Sequence, residues 1–181
     1  MRIANLLRVI VFAIAAGYLI FTQDHSYVTG ANALEYAGTA LCLTGGALMM
    51  IQTQSKVAPS VLLVPTITSG VVAYLVFMLG ELASPHTNPP NDFAFRLLTA
   101  LFIIGFAGNE FGLAFSSTGN EKLELRISAY IGFGFALMFL VTPFNDVNAV
   151  GFLSAYLIVS AVQRAIWIAT PEGMRKDAEE Q

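Results

Sequence analysis

The sequence predicts an all-α membrane protein with six transmembrane helices arranged as three two-helix repeats. Of its 181 residues, 56% are hydrophobic and only 12% are charged, against about 25% charged residues in soluble domains. A soluble fold of this size has too little interior for so much apolar surface, so we expect lipid to be the solvent. The apolar runs do not alternate with period two, which excludes the strands of a membrane β-barrel.

Six apolar runs approach the length of about 20 residues that a helix needs to cross the hydrocarbon core. They cover about 4–22, 33–52, 59–82, 94–115, 127–143 and 148–170, and the fifth run is the shortest. Polar or turn-forming residues separate them at 22–32, 52–56, 83–92, 117–124 and 142–146. One transmembrane domain therefore covers 1–170, and Pro171 ends the last helix before a charged tail at 171–181.

The distribution of Lys and Arg predicts the orientation. If the N-terminus is cytoplasmic, eight of the nine Lys and Arg residues fall inside and only Arg96 falls outside. An even number of helices returns the chain to the same side, so we expect both termini in the cytoplasm. A cleaved signal peptide is the alternative for the first run, but its apolar core continues past the small residues of "AIAAGY".

The spacing of the runs suggests an internal repeat. Each repeat reads as a helix, a loop and a second helix, over about 4–52, 59–116 and 126–170. Aligning "LFIIGFAGNE" (101–110) with "AYLIVSAVQR" (155–164) places Glu110 on Arg164. These two residues are therefore expected at a similar depth in the membrane.

Glu110 is the residue that most needs an explanation, because it lies inside an apolar run. A charged side chain at the bilayer centre costs about 2.5–3.5 kcal/mol on insertion scales. We expect Arg164, with Arg8 as the other candidate partner, to form an intramembrane ion pair with Glu110 that fixes the order of the helices. A proton or ion relay at Glu110, and a Glu110 that is simply protonated, remain open alternatives.

Small residues at four-residue spacing predict close helix packing. Gly108 and Gly112 form a GxxxG motif, about 200° around the helix from Glu110, so we expect the fourth helix to have protein on two sides. Gly38, Gly46 and Gly132 belong to similar series and are also assigned to packing.

Two histidines fall on the predicted outer side, each near a carboxylate: His25 beside Asp24, and His86 before Asp92. Histidine titrates near pH 6.5, so these four residues are candidates for sensing acid. Ordinary solvated loops are the alternative. Two histidines on separate loops fix no ligand geometry, so we expect no metal site.

Catalytic and nucleotide-binding signatures are missing from the sequence, which has no P-loop, HExxH, GxSxG or CxxC motif. The single cysteine, Cys42, rules out an internal disulfide and a cysteine metal cluster. The net charge is −3, with no basic patch for nucleic acid. We therefore expect a protein that is not an enzyme and has no cofactor.

The layout resembles the HdeD-type acid-resistance membrane proteins and their wider family of short-repeat integral membrane proteins. The shared features are a glycine in the first helix of each pair (Gly17, Gly70 and Gly134), an aromatic-rich outer end and a small-residue second helix. The turn "LVTP" (140–143) looks like the family's helix-ending proline. The resemblance implies a multi-pass protein of the bacterial inner membrane that is linked to acid or envelope stress.

Three functions are compatible with these features. The first is a standalone, stress-related membrane protein, alone in the lipid bilayer or as a homo-oligomer. The second is an accessory subunit of a larger membrane complex, such as a respiratory or photosynthetic one. The third is a small transporter or channel that uses Glu110 and Arg164.

Overall fold

The computed structural model describes residues 2–52, 60–82 and 92–170. This part of the chain holds six α-helices and no strand. They are α1 (Arg2–Phe21), α2 (Tyr27–Gln52), α3 (Ser60–Leu82), α4 (Asp92–Ser116), α5 (Gly119–Val141) and α6 (Asp146–Ala169). Five of them are long and apolar enough to cross a membrane, and the apolar part described for α3 covers Leu63–Met78. The predicted all-α membrane fold is confirmed, whereas the tail at 171–181 lies outside the described residues.

Helix α2 begins at Tyr27, earlier than the apolar run that predicted it. The preceding residues hold its first turn, because the Ser26 hydroxyl donates to Asp24 Oδ2 (2.8 Å) and also lies 3.4 Å from the Thr29 hydroxyl. Gly30 then meets Phe95 of α4, where an added Cβ would lie 2.6 Å from the ring. The first turn of α2 is thus part of the packed bundle, although its sequence reads as a loop.

Helix α5 also begins earlier than expected, at Gly119 instead of near residue 127. Gly119 has a φ of 57°, a left-handed conformation that glycine adopts without steric cost. It lets the chain turn from α4 into α5 within the short segment Ser117–Thr118. The charged residues at 121–126 are good helix formers, so the helix continues beyond the apolar run.

The turn at 142–146 is as predicted. Helix α5 ends at Val141 and α6 begins at Asp146. Asn145 is the N-cap of α6, and its side chain accepts a hydrogen bond from the Asn148 backbone N–H at 2.9 Å. This cap fixes a short connection between two antiparallel helices.

The six helices form a ring in chain order, which α1 closes by packing against both α2 and α6, and α2, α4 and α6 also contact one another across it. The most extensive contacts join α2 with α3, α4 with α5, and α6 with α1. Each of these pairs combines the second helix of one predicted repeat with the first helix of another. The structure thus places the largest interfaces between the predicted repeats, and the repeat itself stays a prediction.

Two of the predicted packing glycines lie where helices approach closely. A Cβ on Gly38 of α2 would stand 2.7 Å from the Ser69 carbonyl oxygen and 3.1 Å from Ala73 Cβ on α3. A Cβ on Gly132 of α5 would stand 2.8 Å from Ala107 Cβ on α4. Only glycine permits these separations without a shift of the neighbouring helix.

Within the described bundle the predicted packing of Gly46, Gly108 and Gly112 is not found, whereas their packing against another chain stays a prediction. A Cβ at any of these positions would meet no atom within 4 Å, and both glycines of the GxxxG motif are exposed. They belong to an exposed face that runs along the whole of α4. Its residues are Phe93, Leu97, Leu101, Ile104, Gly108, Gly112 and Phe115. The GxxxG pattern alone does not show whether a glycine faces lipid or another helix. Lipid and the protein interior are equally apolar, so the apolar residues around the motif are the same in both cases.

Aromatic side chains fill the centre of the bundle. Phe12 of α1 is fully buried and its ring lies 5.4 Å from Phe106, 6.0 Å from Phe102 and 6.2 Å from Tyr156, centroid to centroid. A second group of rings, which includes Phe139, continues toward the turn between α5 and α6. Aromatic pairs at these distances add about 0.5–1.5 kcal/mol beyond their burial, so they make the middle of the bundle a solid core.

Candidate functional site

The three residues predicted to form an intramembrane ion pair meet in one place, which we call the charge cluster: Arg8, Glu110 and Arg164. Arg8 Nη1 lies 2.6 Å from Glu110 Oε1, and Arg164 Nη2 contacts the same oxygen. Glu110 is only 2% exposed, Arg8 8% and Arg164 6%. Both candidate partners therefore bind Glu110 at the same time.

The alternating direction of the helices explains how distant residues reach one depth. Arg8 lies near the start of α1, whereas Glu110 and Arg164 lie toward the ends of α4 and α6. Because α1 runs opposite to both, the three side chains meet at one end of the bundle. We call this the charged end, and the opposite end the far end.

Local sequence patterns turn each charged side chain inward. Arg8 precedes Phe12 by four residues, Glu110 follows Phe106 by four, and Arg164 follows Ser160 by four. All three of these neighbours are buried. Residues four apart share a face of a helix, so each charge lies on the buried face of its own helix.

Neighbouring side chains extend the charge cluster. The Arg8 guanidinium carbon lies 4.4 Å from the centroid of the Phe106 ring and 5.1 Å from that of Phe12, within the range of cation–π attraction. On α5, the Ser128 hydroxyl has two acceptors for its one proton, Gln163 Oε1 at 3.2 Å and the Glu110 carboxylate. The cluster thus links four helices: α1, α4, α5 and α6.

The charge cluster contains two guanidinium groups and one carboxylate, which is an excess of one positive charge. Among the described residues, neither the Nε–H of Arg8 nor that of Arg164 has a hydrogen-bond partner. Most buried polar groups in proteins are paired, so each exception calls for an explanation.

A cavity of about 80 Å³ opens beside the charge cluster at the charged end. All six helices contribute to its walls. The polar and aromatic residues that line it include Arg8, Thr44, Thr66, Asn109, Arg164 and Trp167. The cavity is large enough to hold water molecules beside its polar lining residues. Among the described residues, no group of three His, Cys, Asp or Glu side chains could hold a metal ion.

The predicted acid-sensing residues are only partly described. His25 is half-buried in the connection between α1 and α2. Asp24 accepts hydrogen bonds from Ser26 (2.8 Å) and Thr29 (3.4 Å), so its carboxylate holds the start of α2. His86 lies outside the described residues, and Asp92 is the first residue of α4. Acid sensing at this end stays a prediction.

Two polar contacts at the far end were not predicted. The Tyr27 hydroxyl donates to the Phe144 carbonyl oxygen (2.9 Å), and Arg96 Nη1 donates to the Thr142 carbonyl oxygen (2.8 Å). They fasten α2 and α4 to the turn between α5 and α6. Arg96 was the one cation that the predicted orientation placed outside. Its separation from all the other Lys and Arg residues was the feature of the sequence that pointed to a specific structural partner.

Comparison of the chain with known protein families, with curated proteins and with solved structures finds no match in any of the three. The functional argument therefore rests on the geometry of the bundle and its charge cluster.

Proposed function

We propose that this chain is a non-enzymatic, self-contained multi-pass protein of the bacterial inner membrane, with a role in acid or envelope stress. The observation that carries the proposal is the charge cluster, in which one carboxylate of α4 binds arginines of α1 and α6. The buried carboxylate thus finds both of its partners within the chain.

The closed ring supports a protein that folds without a partner subunit. Helix α1 packs on α6, so the first and last helices cover each other. Glu110 is almost fully buried by its own chain. An accessory subunit that depended on its complex would be expected to leave such polar groups for a partner to cover.

The positions of the cations support an inner-membrane orientation with the charged end in the cytoplasm. Toward the charged end lie five of the cations in the described part of the chain: Arg2, Arg8, Lys122, Arg126 and Arg164. At the far end lies Arg96, near the start of α4. Cytoplasmic segments carry the excess of Lys and Arg in multi-pass proteins.

The link to acid stress rests on the resemblance of the layout to the HdeD-type proteins. Acid survival of a deletion strain tests it directly.

Transport by Glu110 and Arg164 has less support than a structural role. Beyond the cluster, toward the far end, the buried ring of Phe12 packs against the buried rings of Phe102 and Tyr156. A hydrated path would have to pass through this aromatic core, so a relay across the membrane would require a large rearrangement of the bundle.

The exposed face of α4 favours a second candidate, an accessory subunit that docks against another membrane protein. Gly108 and Gly112 lie open on this face, and GxxxG motifs are a common docking surface for transmembrane helices. The two candidates predict detergent-extracted particles of different composition. The first predicts this chain alone, and the second predicts this chain with a partner protein.

The native mass of the protein distinguishes the two candidates. The tagged chain is extracted from its own membrane in a mild detergent, and every co-purifying chain is identified. A particle that contains only this chain supports the proposal, and acid survival of a deletion strain then tests the stress link. A reproducible partner at fixed stoichiometry, lost on Gly108→Leu, would support the subunit instead.

A further inference from the structure

We propose that Glu35 of α2 is a binding site for a membrane-soluble organic cation that reaches it from the lipid. The inference rests on the position of this carboxylate beside exposed aromatic side chains, inside the membrane-spanning part of the bundle. The site lies apart from the charge cluster and its cavity, and it does not depend on a role in acid stress.

The first argument is the depth of Glu35. The candidate membrane span of α2 covers Tyr27–Ile51, and Glu35 lies about 12 Å along the helix axis from its start. Apolar side chains are exposed both before and after Glu35 on this helix, with Val28 at 48% and Leu43 at 69%. The lipid-facing surface therefore extends past Glu35 in both directions, and Glu35 itself is half-buried.

The second argument is that the chain supplies no cation for this carboxylate. In the part of the chain that the structure describes, no hydrogen bond or ion pair reaches the Glu35 side chain. Arg96 lies nearer the far end, on α4, and its Nη1 donates to the Thr142 carbonyl oxygen. An unpaired carboxylate is costly in lipid, so Glu35 requires a positive charge or a proton from outside the chain.

The third argument is the register of the seam between α2 and α3. A Cβ on Gly70 of α3 would lie 2.8 Å from Cys42 Sγ of α2, so these two positions face each other. Glu35 precedes Cys42 by seven residues and shares its face of α2, whereas Phe77 follows Gly70 by seven and shares its face of α3. Because the two helices are antiparallel, Glu35 and Phe77 lie at one level of the same seam.

Exposed aromatic side chains lie around this level. On α3, Phe77 is 51% exposed, and Tyr74, which is on the same face, is 61% exposed. On α2, Tyr36 follows Glu35 directly and is 65% exposed. Aromatic rings recognise organic cations through cation–π attraction, and the carboxylate adds a full counter-charge. The ligand that this combination favours is therefore an organic cation.

A metal ion suits this position less well. Hard cations such as Ca²⁺ and Mg²⁺ take about six or more oxygen ligands, and among the described residues no group of three His, Cys, Asp or Glu side chains could hold a metal ion. A cation that is already dissolved in lipid has no full hydration shell to lose. Its path to Glu35 is open from the side, because Thr39, one turn further along α2, is also exposed.

Binding of tetraphenylphosphonium, a lipophilic monovalent cation, tests the proposal. The full-length protein in lipid nanodiscs is dialysed to equilibrium against the radiolabelled cation, and empty nanodiscs give the background from partition into lipid. We expect saturable binding of one cation per chain above this background. Triphenylphosphine oxide has similar phenyl groups but no net charge, so it should not compete.

Two substitutions separate the carboxylate from the aromatic rings. Glu35→Gln should weaken binding about tenfold or more, because the charge attraction is lost. Tyr74→Leu should weaken it about threefold through the loss of a cation–π contact. Glu124→Gln is the matched control, because it removes an exposed carboxylate of α5, and it should leave binding unchanged.

Thr39→Lys keeps the test decisive if Glu35→Gln does not fold. A lysine four residues after a glutamate can pair with it on the helix surface, so this change should abolish saturable binding, whereas Thr39→Leu should preserve it. Saturable binding that survives Glu35→Gln or Thr39→Lys, or no binding above that of empty nanodiscs, would overturn the proposal. A co-purifying protein that is lost on Glu35→Gln would also overturn it, because the carboxylate would then pair with a basic side chain of that protein.

Discussion

At the scale of single residues, the most consequential feature is that one carboxylate oxygen binds two arginines inside a membrane domain. A buried ion cluster is not in itself a strong source of stability, because well-packed apolar groups often do as well. Its effect is on specificity, since a register or helix order that separated Glu110 from Arg8 and Arg164 would bury unpaired charges. The cluster thus selects one arrangement of α1, α4 and α6.

Replacing Glu110 is expected to be strongly destabilising. Glu110→Gln leaves Arg8 and Arg164 without their shared counter-charge, so the free energy of unfolding should fall by about 3–5 kcal/mol. Denaturant unfolding in detergent measures this. The control is Glu124→Gln, an exposed carboxylate on α5, which should change stability by less than about 0.5 kcal/mol. Similar values for the two variants would contradict the role of Glu110.

The hydrogen bond of Tyr27 at the far end has a smaller predicted effect. Tyr27→Phe removes the donor to the Phe144 carbonyl oxygen, and it should lower the free energy of unfolding by about 0.5–1.5 kcal/mol. Tyr36 lies on the same helix but is 65% exposed. Tyr36→Phe should therefore have no measurable effect, and an equal loss in both variants would refute the contact.

At the scale of helices, small residues decide which faces meet. Gly38 brings α2 against α3, and Gly132 brings α5 against α4, each at a distance that leaves no room for a side chain. Gly108 and Gly112 have the same spacing as other packing motifs but face outward. In a membrane the environment of a glycine is therefore set by the whole arrangement of helices and not by its local motif.

A pair of glycines on α5 tests this distinction. A leucine at position 132 would collide with Ala107, whereas position 134 is open. Gly132→Leu should destabilise the protein by about 1–3 kcal/mol through overpacking. Gly134→Leu should be neutral or slightly stabilising, because leucine favours a helix more than glycine does. Thermal unfolding of both variants gives the comparison, and a larger loss at position 134 would contradict the interface.

At the scale of the whole molecule, a closed ring of helices surrounds an aromatic centre and is fastened differently at its two ends. The charged end has a buried ion cluster and a cavity, whereas the far end has hydrogen bonds to the turn between α5 and α6. In the described part of the chain, these polar contacts between distant segments lie toward the ends of the helices, and the aromatic middle is held by packing. Most of the outward side chains are apolar, as lipid requires.

The fold could be predicted from the sequence because hydropathy and helix length are strong signals in membrane proteins. The meeting of Glu110 with Arg164 and Arg8 also followed, because each charge is too costly in lipid to remain alone. The outward direction of Gly108 and Gly112 could not be predicted from the sequence, because a helix face in lipid and a helix face in the protein interior are both apolar. The early start of α5 was missed because its charged first turns resemble a loop.

The measurement that tests the account most directly is a mutant cycle on the charge cluster. Glu110→Gln is measured by unfolding in the unaltered protein and again in a background that carries Arg8→Gln and Arg164→Gln. The account predicts a loss of about 3–5 kcal/mol in the first case and no loss, or a gain, in the second, because that background leaves Glu110 as an unpaired buried charge and Glu110→Gln removes it. An equal loss in both backgrounds would show that Glu110 does not hold the two arginines.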